Sequence, residues 1–337
     1  MTAASPAPEF APALQRYLSD AIPGLSGAMA MQQIAGGQSN PTFFVTFGNR
    51  QLVVRKQPPG KLLPSAHAID REYRIISALA ATTVPVPPAV LYCNDPAPIG
   101  TPFYVMDRVD GRIFHDCTLP GVTRNERRAM YRAMARTLAA FHDVDFKAIG
   151  LGDYGKSGNY FARQIARWSK QWELSRTRDD QNVEKLIAWL PSHIPDDDRT
   201  SLVHGDYRIG NLMFHLQEPK VVAVLDWELS TLGHPLADVA HNAIAWLTAA
   251  DEYGGLIGVD LDALGIPTLD DYIADYNAAA STPIVLTNFH KAFALFRWTV
   301  IFEGIAARAN AGNAAAENAS EAGKLAEIFA RRAAAFI

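Results

Sequence analysis

The run Leu202-Val203-His204-Gly205-Asp206-Tyr207-Arg208-Ile209-Gly210-Asn211 limits what this chain can become more than any other stretch. It sets an Asp and an Asn five residues apart in a short loop with apolar residues on both sides. Ten residues later Val221-Val222-Ala223-Val224-Leu225 forms an apolar strand that ends in Asp226, followed by Trp227 and Glu228. A carboxylate at the end of an apolar strand is costly unless a metal or hydrogen bonds compensate it. Taken alone, Asp206 is a turn-forming residue in a His-Gly-Asp bend. Asn211 and Asp226 change that reading. Together the three supply a proton-accepting carboxylate and two hard oxygen donors of the kind Mg²⁺ takes.

The surrounding chain has 337 residues, enough to bury a full core and to divide into two parts. With 49% hydrophobic and 20% charged residues it has an ordinary globular composition. A net charge of -4 gives no reason to expect nucleic acid or an anionic membrane as a partner. The two cysteines, Cys93 and Cys117, form no zinc-binding pattern and read as isolated buried thiols. Residues 1–8 lack a basic region followed by an apolar run, and no apolar stretch reaches the roughly 18 residues of a spanning helix. A cytoplasmic enzyme is the expectation.

The pattern changes character along the chain. Residues 9–20 have the spacing of a short amphipathic helix, closed by Pro23-Gly24. Strands are predicted at Ala30–Ile34, Phe43–Phe47 and Leu52–Val54, with Gly48-Asn49 as a hairpin turn. Helical spacing occupies Ala66–Ala80, and strands return at Ala89–Cys93 and Pro102–Met106 before a turn at Val109-Asp110-Gly111. Beyond residue 120 helices dominate, at Asn125–His142, Gly158–Glu173, Leu236–Ala249, Leu269–Ala278, Asn288–Ala307 and Ala314–Phe336. The last is alanine-rich and reads as a packing helix.

A strand-rich front and a helical back are joined to a loop in which His204-Gly205-Asp206 stands where H-R-D would. Asn211 keeps the five-residue offset, and Asp226 follows at a strand end. H-R-D-x-x-x-x-N with such an Asp is the phosphoryl-transfer pattern of protein kinases. With Gly between His and Asp, the chain resembles the aminoglycoside phosphotransferase-like family, which also contains choline, homoserine and fructosamine kinases. Four further segments resemble the subgroup found alone in bacteria or fused to acyl-CoA dehydrogenases. They begin at Arg55-Lys56-Gln57-Pro58-Pro59-Gly60, Arg71-Glu72-Tyr73-Arg74, Phe103-Tyr104-Val105-Met106-Asp107-Arg108-Val109-Asp110-Gly111 and Gly233-His234-Pro235-Leu236-Ala237-Asp238.

The resemblance implies an α+β, protein-kinase-like fold. A small β-rich lobe, residues 1–108, would bind the nucleotide. A larger helical lobe, residues 109–337, would hold the catalytic and metal loops and the substrate cleft. The implied activity is that of a small-molecule kinase using Mg²⁺ and ATP, with GTP left open. Asp206 would orient the acceptor hydroxyl and take its proton, and Asn211 and Asp226 would hold the metal. Glu228 reads equally as a further metal or substrate contact and as a solvated side chain. His204, Arg208 and Asp238 would support the loop, Asp238 by accepting hydrogen bonds from it or by capping the following helix. Glu72 would anchor the cation that reaches the phosphates. Arg55 is favoured for that role over its neighbour Lys56, which would then turn to solvent or to the loop. The two face opposite ways on a strand, and flanking Val53 and Val54 are both apolar, so periodicity leaves both open. Gly37, Ser39 and Asn40 lie in a turn that could approach phosphate, and Met106, Asp107 and Val109 would meet adenine.

Substrate is less sharply defined. The late helices carry Lys291, Arg297, Arg308, Phe293, Phe296 and Trp298, with little acid besides Glu303. A polycationic aminoglycoside would want carboxylates, so an anionic or partly apolar metabolite, such as a hydroxyacyl-CoA-type compound, suits this composition better. An aminoglycoside-modifying enzyme and a catalytically silent nucleotide-binding scaffold are the alternatives.

Overall fold

The computed structural model describes residues 8–34, 40–58, 60, 68–310 and 319–337. The chain divides into two compact units. The first is Met1–Gly111 with Val222–Glu228; the second is Arg112–Val221 with Leu229–Ile337.

In the first unit, helix α1 (Ala11–Ala21) precedes strands β1 (Ala30–Gln33), β2 (Thr42–Thr46) and β3 (Gln51–Lys56). Helix α2 (Ile69–Leu79), β4 (Ala89–Cys93) and β5 (Phe103–Asp107) follow. The strands form one antiparallel sheet in the order β1-β2-β3-β5-β4. The Phe47 N–H bonded to the Arg50 carbonyl closes the Gly48-Asn49 turn at 2.9 Å. Leu14 and Leu18 of α1 pack with Phe43, Val45, Val54, Phe103 and Val105 of the sheet. On the opposite face α2 buries Ile69, Glu72, Ile75, Ile76 and Leu79, and the Tyr104 hydroxyl reaches Glu72. Because helices cover both faces, Val53 and Val54 are both buried.

The second unit begins with β6 (Arg112–Ile113), α3 (Arg124–His142), α4 (Tyr160–Ser175), α5 (Gln181–Trp189), β7 (Ser201–Val203) and β8 (Leu212–Phe214). After β9 (Val221–Val224), which runs into the first unit, come β10 (Thr231–Gly233), α6 (Pro235–Leu247), α7 (Ala250–Tyr253), α8 (Leu261–Leu264), α9 (Leu269–Asn277), α10 (Asn288–Asn310) and α11 (Ala319–Ala334). Strands β7 and β10 pair antiparallel, Val203 opposite Thr231, which frames the segment between them. Helix α10 buries Phe289, Phe293, Phe296, Trp298 and Phe302 and packs against α4, α6 and α11. Such all-round burial marks a core helix rather than an amphipathic surface one. Among the described residues no helix is long and apolar enough to cross a membrane.

Several expectations are corrected. Helix α5 adds to the predicted helices, and the Asp180 carboxylate caps it by accepting from the N–H groups of Asn182 and Val183. Cys93 is buried but Cys117 is only half-buried, and both are free thiols. The described part of the last helix is Ala319–Ala334, and the expected start at Ala314–Ala316 lies outside the described residues.

Candidate active site

The first unit gathers one set of charges. Strand alternation sends Val53 and Arg55 to the α2 face and Val54 and Lys56 to the α1 face. Arg55 Nε lies 2.8 Å from Glu72 Oε2, an ion pair in which the two side chains are 16% and 2% exposed. The Asn40 side-chain amide donates to Glu72 Oε1 at 2.7 Å, and the Tyr104 hydroxyl donates to Oε2 at 3.1 Å. Burial raises the Glu72 pKa, with Arg55 and Tyr104 opposing the rise. Arg55 also meets the strand-end acids, its Nη2 lying 3.3 Å from Asp226 Oδ1 and 3.5 Å from Glu228 Oε2. Burial would lower the Arg55 pKa, but these carboxylates raise it, so the guanidinium keeps its charge.

Asp226 adopts a left-handed backbone, φ 64°, which is unusual for a residue other than glycine. The chain leaves β9 there, and the Val224 N–H bonded to the Pro85 carbonyl at 2.8 Å anchors the strand just before it. Lys56 turns neither to solvent nor to the loop. It is buried, its Nζ 4.3 Å above the Phe10 ring and donating to the Ile99 carbonyl at 3.4 Å. Burial lowers its pKa. It does not share Arg55's surroundings.

Asp107 ends β5, and its carboxylate takes a two-pronged contact from Arg50 at 2.8 and 3.0 Å. The Arg108 N–H donates to the Gln51 carbonyl, so sheet pairing continues almost to Val109. Met106 and Val109 are half-buried. Gly37 and Ser39 lie outside the described residues.

The second unit builds the His204–Asn211 loop. Gly205 has φ 83°, and a Cβ there would sit 2.8 Å from the Leu229 carbonyl oxygen, so only glycine fits. The Asp238 carboxylate, buried on α6, accepts from the N–H groups of His204 (2.6 Å) and Gly205 (2.8 Å). His142 Nε2 lies 3.4 Å from the same carboxylate, with the Tyr276 hydroxyl 2.8 Å from His142 Nδ1. Burial would raise the Asp238 pKa, yet His142 and the loop N–H groups hold it below the usual range. The helix cap is His234, whose Nδ1 accepts from the Leu236 N–H. His204 is itself buried, and its Nδ1 accepts from the Asp206 N–H at 3.2 Å.

Both oxygens of Asp206 are engaged. Oδ1 lies 2.9 Å from His241 Nε2. Oδ2 accepts from the Asn211 amide at 2.8 Å and from Arg208 Nε at 3.2 Å. Burial would push the Asp206 pKa up, but the His241 hydrogen bond and the Arg208 charge hold the carboxyl well below the usual carboxylate range. The Asn211 amide nitrogen also donates to the Asp206 carbonyl, so its bonds to Asp206 all run through that nitrogen. Arg297 Nη2 donates to the Gly205 carbonyl at 2.7 Å, which ties α10 to the loop.

Beside the loop lies a cavity of about 440 Å³, its wall including His115, Tyr131, Arg208, His241, Trp246 and Trp298. Among the described residues, none of those lining it is Asp or Glu. Of the late-helix candidates, only Trp298 lines it; Phe293 and Phe296 are core, and Lys291 lies over Phe336. Glu303 is fully buried and accepts from Thr177 and Arg178, a structural task.

Residues 30–280 match the APH phosphotransferase enzyme family. The chain belongs to that family. It is 44% identical to mouse acyl-CoA dehydrogenase family member 10 over 325 residues, covering 95% of this chain and 30% of that protein. It is 41% identical to chicken acyl-CoA dehydrogenase family member 11, over 95% and 42%. The chain therefore spans less than half the length of these curated relatives. A crystal structure of a candidate aminoglycoside phosphotransferase from Ralstonia eutropha JMP134 superposes with a TM-score of 0.89 at 44% identity, covering 96% of this chain and 97% of that one. Aminoglycoside phosphotransferase APH(4)-Ia, solved with AMP-PNP and hygromycin B, shares the fold at TM-score 0.60 and 15% identity over 95% and 98%. The fold is thus α+β and of the protein-kinase-like phosphotransferase type.

His241 and His142 are site residues beyond those expected from the sequence, and Arg297, expected toward substrate, instead braces the loop. For His241 a signal existed. Asp238, His241 and Asn242 stand at i, i+3 and i+4 on one helix face, and they meet in turn the His204 and Gly205 N–H groups, the Asp206 carboxylate and the Tyr207 carbonyl.

Proposed function

We propose that this chain transfers a phosphoryl group from ATP, with Mg²⁺, to a hydroxyl of a small metabolite whose body is largely apolar, such as a hydroxyacyl-CoA-type compound. The observation that carries this reading is the acid-free cavity walled by His241 and Arg208, the two side chains that also hold Asp206. A polycationic acceptor would leave its ammonium groups without carboxylates there, whereas aromatic and aliphatic walls suit an apolar chain. Arg208 supplies positive charge at the edge.

Asp206 is the proposed catalytic residue. It accepts a hydrogen bond from the acceptor hydroxyl, orients it toward the phosphorus and receives its proton. Its depressed pKa makes it a weak base, which suits phosphoryl transfer, where positioning contributes more than early proton removal. Asn211 and Asp226 are the proposed metal-holding residues. Their chemistry fits: the Asn211 nitrogen is spent on Asp206, which directs its oxygen elsewhere, and the Asp226 carboxylate is 36% exposed. Bound Mg²⁺ would neutralise charge on the phosphates. Arg55, held by Glu72, is the proposed phosphate contact, in place of Lys56. Asn40 supports Glu72. Gly37 and Ser39 remain proposed phosphate neighbours, and Met106, Asp107 and Val109 proposed adenine neighbours.

A coupled ADP-release assay with ATP, Mg²⁺ and a panel of hydroxylated metabolites, CoA thioesters and aminoglycosides, run beside Asp206→Ala, tests the reading. We expect release stimulated by a hydroxylated thioester or acid and abolished in the variant. Stimulation by aminoglycosides alone would transfer the assignment to antibiotic modification. Nucleotide binding without turnover on any acceptor would make the chain a scaffold.

A further inference from the structure

His241 contacts both the carboxylate of Asp206 and the cavity, and its second ring nitrogen is also occupied. Trp298 Nε1 lies 3.2 Å from His241 Nδ1, and the rings stack with centroids 5.6 Å apart. An indole N–H donates and cannot accept, so Nδ1 must be the lone-pair nitrogen. The proton then sits on Nε2, 2.9 Å from Asp206 Oδ1. We propose that His241 is a positioning residue of the phosphoryl-transfer site, fixed as its neutral Nε2–H tautomer by Trp298 so that it always donates to Asp206 and never takes its proton. This deepens the phosphotransferase reading and rests on it.

Three observations converge. His241 is buried on α6, the helix that also holds the loop through Asp238 and Asn242, so the ring cannot move independently of the loop. Asn211 engages the other oxygen of Asp206, leaving the carboxylate clamped from both sides. Charges around the ring are Asp206 and Asp238, which favour the imidazolium, against Arg297 and burial, which oppose it; burial prevails. Protonating Nδ1 would also break the bond from Trp298, leaving that indole N–H facing a like donor. A proton released by the acceptor hydroxyl therefore stops on Asp206 and must leave toward solvent or product. The same geometry makes Trp298 part of both the cavity wall and the clamp, so an acceptor pressing on Trp298 bears on the tautomer lock.

Long-range ¹H–¹⁵N correlation spectra of the full chain with ¹⁵N-labelled histidine read the tautomer directly, with His241 identified by its loss in His241→Gln. The expected result is an Nε2–H imidazole at neutral pH, converted to a mixed or protonated ring in Trp298→Phe. An Nδ1–H ring or an imidazolium in the wild type overturns the proposal. Turnover with MgATP then separates positioning from packing. His241→Leu should lower kcat about 100-fold with the nucleotide KM unchanged, since a displaced reacting group costs on that order. His241→Gln, whose amide restores a donor, should recover most of the loss. Equal kcat in the Leu and Gln variants, at matched thermal stability, reduces His241 to packing and refutes the role. A wild type without any turnover would count against the phosphotransferase reading alone, because the tautomer measurement needs no substrate.

Discussion

Two acids are held in contrasting ways. In the first unit Glu72 is compensated by a full opposite charge, the Arg55 guanidinium, with Asn40 and Tyr104 filling the remaining oxygen positions. In the second unit Asp206 is held by the Asn211 amide, a neutral imidazole and Arg208 at the half-exposed edge. The difference follows from the task each is given. Glu72 is nearly inaccessible and only has to fix a cation, so a tight ion pair is sufficient. Asp206 has to remain anionic yet keep acceptor capacity for another hydrogen bond. Asn211 and His241 orient the carboxylate without cancelling its charge, and only the partly exposed Arg208 opposes that charge. A buried ion pair fixes geometry, and a hydrogen-bonded carboxylate keeps its reactivity.

Perturbing each side separately should show opposite signatures. The largest effect is expected at Asp206. Asp206→Asn should lower turnover about 1,000-fold, within the range seen for removing an acid–base group, while thermal unfolding and nucleotide binding stay close to wild type. Similar losses of binding and turnover would mean that the residue builds the loop rather than serving the reaction. Glu72→Ala should do the converse. It leaves the Arg55 guanidinium only its longer contacts to Asp226 and Glu228. That costs about 2 kcal/mol, the worth of a hydrogen bond to a charged group, and should raise the nucleotide KM; urea unfolding and initial rates read both. Gly205→Ala asks whether the loop tolerates any Cβ. Its left-handed backbone and the Leu229 carbonyl predict a loss of about 2 kcal/mol, again by urea unfolding.

The second unit's reliance on neutral histidines should also appear as acid sensitivity. Burial pulls the His290 pKa from 6.5 down to about 3. Between those values the unfolded chain holds the proton and the folded chain does not. Stability must therefore fall as pH drops below 6.5, at up to about 1.4 kcal/mol per pH unit. His290→Gln should flatten that slope in unfolding titrations between pH 6.5 and pH 4, whatever it does to stability at neutral pH. The smallest effect is expected at Lys56. Lys56→Met loses the ammonium contact with Phe10 but also removes the cost of burying a charge. The volumes are similar, so stability should change by less than about 1 kcal/mol and turnover should hold. Arg55→Met, one residue away, should raise the nucleotide KM at least tenfold. Equal responses in the two variants would erase the distinction between the faces of β3.

How much of this was readable depends on how far apart in sequence the partners lie. The strand and helix positions in the first unit follow alternation and proline breaks, and β4 begins and ends where expected. The side of β3 that carries the cation was not readable. Alternation reports a face only when the other face is polar, and here α1 and α2 cover both. Helix α5 was legible in principle from Asp180 and its following apolar residues. His241 was legible only as a helix-face companion of Asp238, and nothing local connects it to Trp298, 57 positions away.

The chemistry of the loop was written in the chain itself. An Asp and an Asn five residues apart need a tight turn, glycine at position 205 permits it, and flanking apolar residues pin it between strands. Those are short-range requirements, and residue identities meet them directly. Tertiary structure alone decided which nitrogen of His241 bears its proton, which of Arg55 and Lys56 meets Glu72, and that the cavity beside Asp206 is lined without acids. Each of these depends on the packing of segments distant in sequence, where burial and the direction of a single N–H outweigh any local preference.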